Sequence, residues 1–448
     1  MSRRRERKDV AELGSQAGFS NVVRAFRIPN YRVFATGNFI SQIGYWIQRV
    51  AQAWLTWQLT HSGTWLGIVA ASDLIPNVVI SPFAGALADR VDRIRVIRLT
   101  QIAAIIQAWV LAILTYTGAI TIEELFLLIF GLGFVNAFNQ PARLALIPSL
   151  VDTATLPSAV AINSLMFNIA RFIGPAIAGL VIAESSVSLA FVLNACSYVV
   201  FSWALSRVNV PSERLAPRRH FLRQSLEGYV YAVRHPGIGQ ILVLFSVTTV
   251  GIRGFNEMFP GFADVVFHRG AQALAWLTAT MGLGAIVGGI RMIRRSGLEG
   301  LTRLAVNHTL IMSLAVLAFG VVPTYWMALV AVFFAGLAMT TSGISAQTLV
   351  QTAVDPVMRG RVMAFYGMVF RAGPALGALI AGWFATRVGF HMPIVVGAIA
   401  CVAAWGWAWL RLGRIERALE PAAAMAELEA DPAALPSSEA EPRPAGAE

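Results

Sequence analysis

The sequence predicts an all-α integral membrane protein with 12 transmembrane helices in two six-helix halves and both termini in the cytoplasm. Three observations predict this class: a low content of charged residues, a series of long apolar stretches, and a one-sided distribution of Arg and Lys. Of the 448 residues, 56% are hydrophobic and only 13% are charged, whereas soluble domains carry about 25% charged residues. This composition excludes an ordinary soluble enzyme and a disordered scaffold.

Twelve stretches match the length of about 20 mainly apolar residues that a spanning helix needs. In the first half these stretches are Val33–Leu59, Thr64–Leu87, Val96–Thr117, Leu125–Ala142, Ser158–Ala183 and Val187–Ser206. In the second half they are Gly237–Pro260, Leu274–Ile293, Leu304–Val322, Trp326–Val350, Val362–Arg387 and Met392–Leu412. The first, fourth and tenth stretches are the least regular, because they carry several polar side chains.

The cations lie almost entirely on one side of these spans. Of the 35 Arg and Lys residues, 28 fall on the side that carries both termini, and only Arg269 and Arg387 fall on the other side. The positive-inside rule then places both termini in the cytoplasm of a multi-pass cell-membrane protein. The net charge of +11 therefore reflects topology and contact with anionic lipid rather than a nucleic-acid partner.

The predicted organisation has five parts. They are a cytoplasmic arm (1–29), a first half (30–207), a cytoplasmic linker with an amphipathic helix (208–235), a second half (236–413) and a disordered cytoplasmic tail (414–448). A shift of 203 residues aligns Gly174 with Gly377 and Gly179 with Gly382. Two parallel repeats around an axis along the membrane normal are a transporter architecture, with the substrate site between them.

The connection after the second stretch carries the first motif. It reads Gly-Ala-Leu-Ala-Asp-Arg-Val-Asp-Arg from Gly85 to Arg93 and resembles the loop signature of the major facilitator superfamily. Gly85, Asp89, Arg90 and Arg93 match that signature, and Asp92 replaces its second glycine. Asp92 can instead cap the third helix, while the arginines can pair with the other half or with lipid phosphate. The alternative is a generic basic loop.

The second motif lies in the fifth stretch around Gly174 and Pro175, and the eleventh stretch repeats it around Gly373 and Pro374. It resembles the antiporter motif of the same superfamily, which goes with exporters. A Gly-Pro step thins a helix and removes one hydrogen bond, which allows a kink and close packing. Ordinary packing of small residues is the alternative interpretation.

The residues 30–34 and 140–148 resemble the branch of this superfamily that holds the enterobactin exporter, macrolide-efflux proteins and lysophospholipid transporters. The resemblance covers about residues 27–413 and implies the major facilitator fold and secondary active transport. The Arg that many proton-coupled drug exporters carry in their fourth helix is missing around Gly131 and Gly133. Proton chemistry cannot be carried over from that helix.

Ionisable side chains inside a membrane are costly and are therefore functional candidates. The candidates at membrane depth are Arg49, Asp73, Arg171, Arg253, Glu257 and Arg371. Arg49 and Asp73 lie at the same depth, which predicts an ion pair. Arg253 and Glu257 are spaced i,i+4, which predicts a second pair on one helix face.

Asp73 is the candidate for proton coupling, because its protonation would break a desolvated pair and release Arg49. A purely structural pair is the alternative. Arg171 and Arg371 have no acid at their depth, so the excess of positive charge favours an anionic or zwitterionic substrate, unless these arginines bind helix carbonyls. The polar residues expected to complete the substrate cavity are Gln42, Gln48, Asn136, Asn139 and Gln347.

The sequence thus predicts a proton-coupled exporter of small amphiphilic molecules, such as drugs or siderophores, that works by alternating access. An importer or a lysophospholipid flippase of the same fold is the nearer alternative, and a membrane-embedded enzyme is the remote one. Six scattered histidines and the lack of a phosphate-binding loop argue against catalysis and direct ATP drive. We expect no catalytic residue, metal, cofactor or nucleic acid. The expected partners are the lipid bilayer, a small-molecule substrate and protons or ions, and the expected state is a monomer.

Overall fold

The computed structural model describes residues 24–88, 92–208, 221–295, 297–355 and 357–420, and every regular element within them is helical. The first helices are α1 (Pro29–Thr60), α2 (Gly63–Ala88), α3 (Arg93–Tyr116), α4 (Ile122–Leu146), α5 (Leu156–Glu184), α6 (Val187–Arg207) and α7 (Phe221–Arg234). The second set is α8 (Ile238–Gly251), α9 (Gly270–Ile293), α10 (Leu301–Val321), α11 (Tyr325–Ala353), α12 (Arg359–Val388), α13 (His391–Trp409) and α14 (Leu412–Leu419). Each of the 12 predicted stretches coincides with one of these helices, the seventh with α8 and its irregular continuation.

Ten of the helical segments in the described residues are long and apolar enough to cross a membrane. The helices α1 and α2 lie outside that set, although they have 32 and 26 residues. In α1 the reason is polar content, since Asn38, Ser41 and Gln48 are all buried against neighbouring helices. A helix can keep such groups away from lipid when they face the bundle interior.

Local sequence sets where several helices begin. The Asp92 carboxylate caps α3 by accepting hydrogen bonds from the backbone N–H groups of Ile94 (2.9 Å) and Arg95 (3.4 Å). This confirms the predicted cap by Asp92, which stands where the loop motif has its second glycine. Arg93 donates to the carbonyl of Ala145 at the end of α4 (2.7 Å). This contact lies within one half, not across to the other half.

The helices pack in a pattern that repeats between the two halves. In the first half α1 packs on α5 and α6, and α2 packs on α4; in the second half α8 packs on α12 and α13, and α9 packs on α11. The halves meet through α2 with α12 and through α5 with α9, which are equivalent pairs under the same exchange. The internal repeat in the sequence thus corresponds to a twofold relation in the packing.

Small residues bring the halves together at one end of the bundle. We call the end with the connections α2–α3, α4–α5, α9–α10 and α11–α12 the basic face, and the other end the opposite face. Near the opposite face, a Cβ on Gly67 would lie 2.5 Å from the carbonyl oxygen of Ala378, and Gly382 leaves similarly little room against Gly63. The hydroxyls of Thr64 and Thr386 are 2.9 Å apart at the same interface. The two halves are therefore closed against each other at the opposite face.

The helix that starts with α8 is broken partway along. After Gly251 the chain continues as a 3₁₀ turn (Phe255–Met258), a short α turn and a π-helical segment (Phe262–Val266). Pro260 contributes to the break, because it has no N–H to donate to the preceding turn. Irregular backbone at membrane depth is tolerated where it is buried in protein or lines a cavity, and such segments often mark hinges.

The chain after α13 does not become disordered at residue 414, so that prediction is wrong for residues 414–420. The helix α14 buries Leu412, Ile415 and Leu419, whose spacing places them on one apolar face. The arginines between them lower the mean hydropathy of the segment, so this face was not predicted. The Glu420 carboxylate then accepts hydrogen bonds from the backbone N–H groups of Gly300 and Thr302 (2.6 Å each). The rest of the predicted tail lies outside the described residues.

Candidate functional site

Asp73 on α2 is the centre of a polar cluster in the first half. Its Oδ2 accepts from Arg49 Nη1 (3.3 Å) and from the Tyr45 hydroxyl (3.1 Å), and its Oδ1 accepts from the Asn136 side chain (3.4 Å). The residue is 8% exposed, and three donors satisfy much of the hydrogen-bonding capacity of this buried carboxylate. The structure thus contains the contact between Arg49 and Asp73 that their depths predicted.

Arg49 also reaches the second half. Its Nη2 donates to Glu257 Oε1 at 3.0 Å, and Glu257 lies on the 3₁₀ turn that follows α8. The side chain of Asn256 donates to the same oxygen (3.3 Å). One guanidinium therefore bridges a carboxylate of each half.

The predicted ion pair between Arg253 and Glu257 is wrong, because Glu257 pairs with Arg49 instead. The i,i+4 relation requires a continuous α-helix, but α8 ends at Gly251 and the chain turns before the 3₁₀ segment begins. Arg253 instead lies over the rings of Phe245 (4.6 Å) and Phe370 (5.3 Å). Its Nη2 donates to the carbonyl of Met339 (3.2 Å).

Arg171 on α5 lies close to the bridged pair. Its guanidinium carbon is 5.5 Å from the ring centroid of Trp46, within the range of a cation–π interaction. It interacts electrostatically with Arg49 and Glu257, and Arg253 in turn interacts with Arg171. The side chain of Arg371, on α12, lies outside what the structure describes.

A small cleft, with a cavity volume of about 20 Å³, lies beside Arg49. Its polar lining consists of Tyr45, Gln48, Arg49, Gln52, Asp73 and Glu257. Apolar side chains from α1, α2 and α4 complete the wall. The cleft therefore combines both signs of charge with aliphatic surface, as ligand sites commonly do.

Of the five predicted cavity amides, Gln48 lines this cleft and the other four lie outside its lining. Asn136 contacts Asp73, as described above, whereas the Gln48 side chain donates to Gln107 (3.2 Å) and accepts from Asn194 (2.6 Å). Asn139 donates to the Thr100 hydroxyl on α3 (2.7 Å). Gln42 is half-buried on α1 and Gln347 is exposed on α11, so the five amides do not form one cluster.

Sequence reasoning missed Arg143. Its guanidinium donates to Asn38 (3.0 Å), Ser41 (3.4 Å) and Gln101 (3.1 Å), and it lies over the ring of Phe201 (4.3 Å). The count of topological charges assigned it to a loop, because the fourth predicted stretch ended at Ala142. Continuing that helix to Leu146, as the structure does, places the cation among helices.

The motif residues have clear packing roles where the structure describes them. A Cβ on Gly174 would lie 2.5 Å from the Trp46 Cβ, so this glycine lets α5 approach α1. Gly373 and Gly377 do the same for α12 against Thr249 and Val250 of α8.

The remaining motif residues are placed less completely. Pro175 and Pro374 lie inside α5 and α12. Gly85 lies on α2 with undescribed surroundings, and Asp89 and Arg90 fall outside the described residues.

The sequence is similar to a known family of membrane proteins and to individual transporters. The profile of a family described as transmembrane secretion effector matches residues 21–434. The staphyloferrin A transporter of Staphylococcus aureus (strain NCTC 8325 / PS 47) is 28% identical over 248 residues, 52% of this chain and 61% of the relative. The chain thus spans about three fifths of that relative's length. The enterobactin exporter of Shigella boydii serotype 4 (strain Sb227) is 27% identical over 357 residues, 79% of this chain and 85% of the exporter.

Solved structures share the fold at low identity. A bacterial homologue of the human lysosomal transporter Spinster, inward-facing and unoccupied, has a TM-score of 0.68 at 14% identity, covering 87% of this chain and 98% of that one. The nucleoside transporter NupG has a TM-score of 0.64 at 16% identity, covering 86% and 98%. A POT family transporter in complex with 5-aminolevulinic acid has a TM-score of 0.69 at 11% identity, covering 86% and 96%.

These comparisons confirm the predicted class. The protein is a multi-pass inner-membrane transporter and not a membrane-embedded enzyme. The resemblance to the major facilitator superfamily, first indicated by the Gly85–Arg93 loop, is confirmed as well. The chain belongs to the transmembrane secretion effector family of the major facilitator superfamily.

Proposed function

We propose that the protein is a proton-coupled exporter of siderophore-like amphiphilic molecules, anionic or zwitterionic, and that it works by alternating access. The observation that carries this proposal is the position of Arg49, whose guanidinium contacts Asp73 of the first half at 3.3 Å and Glu257 of the second half at 3.0 Å. A contact of this kind couples the charge state of one side chain to the relative position of the halves.

The coupling follows from the cost of an unpaired charge in a poorly hydrated site. Breaking a buried ion pair by removing one partner costs about 3–5 kcal/mol. Protonation of Asp73 removes its charge, weakens its hold on Arg49 and changes the balance between the closed and open arrangements at the opposite face. Asp73 is the coupling residue in this mechanism, and the hydrogen bonds from Tyr45 and Asn136 position it.

The substrate class rests on two supports. The relatives described above are named for the siderophores staphyloferrin A and enterobactin. Arg49, Arg171 and Arg253 also outnumber the carboxylates of Asp73 and Glu257 around the site, which favours a substrate with negative charge. Export, rather than import, is supported by the name of the enterobactin exporter and by the resemblance of the Gly174–Pro175 step to the antiporter motif.

Transport into inverted membrane vesicles tests the proposal directly. With an acid interior, we expect accumulation of purified staphyloferrin A or enterobactin to exceed that in vesicles lacking the protein, and we expect a protonophore to abolish the difference. If these compounds accumulate only in right-side-out vesicles, the protein is an importer. If the protein moves neither compound in either orientation, the proposed substrate class is wrong.

The proposal includes an orientation in which both termini are cytoplasmic. Its support is the distribution of 28 Arg and Lys residues against two. A cysteine introduced at Thr117 should react with an impermeant maleimide in intact cells, whereas one introduced at Glu299 should react only after permeabilisation. The reverse labelling pattern would show that both termini lie outside the cytoplasm.

A further inference from the structure

Helices α1 and α5 form an aromatic corner with a cation above it. The ring of Trp46 on α1 meets the ring of Phe167 edge to face at 6.1 Å, and the Arg171 guanidinium lies 5.5 Å from the Trp46 centroid. The glycine of the antiporter-like motif makes this possible, because a side chain on Gly174 would collide with Trp46. Arg171 lies about one turn before Gly174 on α5. The motif therefore sets how closely Arg171 approaches the indole.

Two polar groups in this corner lack partners. Among the side chains that the structure describes, Arg171 makes no ion pair, and Glu257, the acid with which it interacts electrostatically, is held by Arg49. The Trp46 indole N–H is buried and has no acceptor. A buried donor without a partner, as the Trp46 N–H is, is uncommon and calls for an explanation such as a bound ligand. Both groups are donors, so the missing partner is an acceptor.

The charge balance around the corner points the same way. Three guanidinium groups, of Arg49, Arg171 and Arg253, interact electrostatically across the interface, and the carboxylates of Asp73 and Glu257 are both bound to Arg49. One positive charge is left over. A ligand carboxylate near Arg171 would balance it and would face Glu257, which has the same sign.

We propose that this corner, formed by Arg171, Trp46 and Phe167, is an anion subsite for an aromatic carboxylate or a similar aromatic anion, and that Glu257 opposes its binding. The anionic oxygens accept hydrogen bonds from Arg171 and from the Trp46 N–H, and the ligand ring packs against the Trp46 and Phe167 rings. This inference deepens the proposed function and rests on it, since the subsite lies in the first half and Arg171 interacts electrostatically with Glu257 of the second half.

Binding to the purified transporter tests the subsite without any transport measurement. We would titrate the full-length protein in nanodiscs with naphthoate, naphthamide and naphthylmethylammonium and follow binding by calorimetry. Naphthoate should bind at least about tenfold more tightly than the neutral amide, because a charge-assisted hydrogen bond is lost in the amide. Equal affinities for acid and amide would overturn the proposal, and this comparison needs no variant.

Variants then assign the residues. Arg171→Gln should weaken naphthoate binding about tenfold and remove the preference over the amide, and Trp46→Phe, which keeps a ring but loses the N–H, should weaken it about fivefold. Glu257→Gln should tighten it, because a like charge is removed. Arg387→Gln is the matched control, since Arg387 lies over Trp383 at 3.6 Å near the opposite face and outside the subsite.

The outcomes separate this inference from the proposed function. If Arg171→Gln binds naphthoate as the unmodified protein does, the subsite is wrong even where siderophore transport is observed. If siderophores are not transported but the acid preference depends on Arg171 and Trp46, the subsite holds and the substrate is another aromatic anion. A folded Arg171→Lys variant with reduced preference also supports the proposal, because Lys retains the charge without the planar donor geometry.

Discussion

The side chain of Arg49 contacts a carboxylate in each half of the molecule. Its guanidinium has five N–H donors in a fixed plane, which allows it to serve two carboxylates on different sides. Asp73 and Glu257 occupy those sides at 3.3 and 3.0 Å. Lys could hold either carboxylate but would not span both with the same geometry, so this position depends on the shape of the cation as well as its charge.

Asp73→Asn should uncouple transport from the proton gradient. The amide keeps the size of the carboxylate and one accepting oxygen. Its NH2 group cannot accept a hydrogen bond as the second carboxylate oxygen does, and the amide cannot exchange a proton at this position. We expect counterflow of substrate to persist while the stimulation by an imposed gradient is lost, measured in proteoliposomes. Glu123→Gln, at an exposed acid in the first turn of α4, should keep the stimulation. A gradient response in Asp73→Asn equal to that of the unmodified protein would contradict the assigned role.

Two adjacent glycines on α9 offer a sharp test of packing. A Cβ on Gly288 would lie 2.6 Å from the carbonyl oxygen of Leu337, whereas a Cβ on Gly289 would meet nothing within 4 Å. Gly288→Ala should destabilise the protein by about 1–3 kcal/mol through overpacking. Gly289→Ala should stabilise it by about 0.5–1 kcal/mol, because Gly loses more backbone entropy on folding. Equilibrium unfolding in mixed detergent micelles measures both, and equal effects would show that α9 and α11 can move apart freely.

The site residues were predictable from the sequence only where local geometry is sufficient. Arg49 and Asp73 lie on consecutive helices of one hairpin, so counting residues from the shared connection placed them at equal depth. The contact between Arg49 and Glu257 joins residues 208 positions apart and depends on how the halves pack, which no local pattern contains. The expected pair of Arg253 and Glu257 failed because it assumed a regular helix where Gly251 and Pro260 interrupt one.

Among the elements, helix boundaries follow the side chains that cap them. Thr121 and Glu124 form a reciprocal capping box at the start of α4, and Ser186 caps α6 through the N–H of Leu189. Such residues are recognisable in a sequence. The end of α4 was not, because the predicted apolar stretch ended at Ala142, before Arg143, while the helix continues to Leu146. The apolar face of α14 was missed because it consists of only three residues, Leu412, Ile415 and Leu419, which lie among charged ones.

The start of α8 should be sensitive to acid. His235 Nδ1 accepts hydrogen bonds from the N–H groups of Gly237 (3.3 Å) and Ile238 (3.2 Å), which requires an unprotonated Nδ1. Burial lowers the pKa of His235 below its ordinary value of about 6.5. The folded state therefore binds fewer protons than the unfolded one, so this contribution is present above about pH 6.5 and is lost as the pH falls through the folded-state pKa.

Unfolding measured at a series of pH values checks this expectation. His235→Asn retains an acceptor but does not titrate in this range, so its stability should depend less on pH below about 6.5. The control is His268→Asn, at a histidine in the connection before α9. If His235→Asn and the unmodified protein lose the same stability on acidification, His235 does not contribute to the pH dependence of stability.

The carboxylate of Glu420 should contribute more to the free energy of unfolding than the carboxylate of Glu416. It is 6% exposed and binds two backbone N–H groups at the start of α10, so Glu420→Ala should cost about 2–4 kcal/mol. Glu416→Gln, which alters a pair with Arg303 whose side chain is 63% exposed, should cost about 1 kcal/mol or less. Detergent unfolding again measures the difference. Similar costs for the two variants would mean that α14 is held by its apolar face alone.

At the scale of the whole molecule, the two halves are closed at the opposite face, and the proposed alternating-access mechanism requires the contacts there to separate. The hydroxyls of Thr64 and Thr386 are close enough to be replaced by a cysteine pair. In a Cys196→Ser background, which removes the exposed free cysteine, oxidation of Thr64→Cys/Thr386→Cys should block transport, and reduction should restore it. Each single cysteine variant is its control. Full transport by the oxidised double variant would show that the opposite face does not need to open.

The overall architecture was more predictable than the relation between its parts. Hydropathy and the repeat of 203 residues suffice for a two-half helical transporter, because lipid imposes helical spans and the packing follows the repeat. The state of the bundle is a different matter. Closure through Gly63, Gly67, Gly382 and their neighbours depends on small differences in free energy between alternative packings of the same helices, and these are not encoded in any one segment.

The cap that Glu420 provides for α10 has a consequence in time. The two groups that it joins, Gly300 and Glu420, are separated by 120 residues, which a ribosome needs about 6–24 s to synthesise. Throughout that interval the first turn of α10 exists without its carboxylate, whereas α3 receives its cap from Asp92 as soon as it emerges. The second half therefore completes its fold late, because this end of the molecule becomes fully stable only once Glu420 has been synthesised.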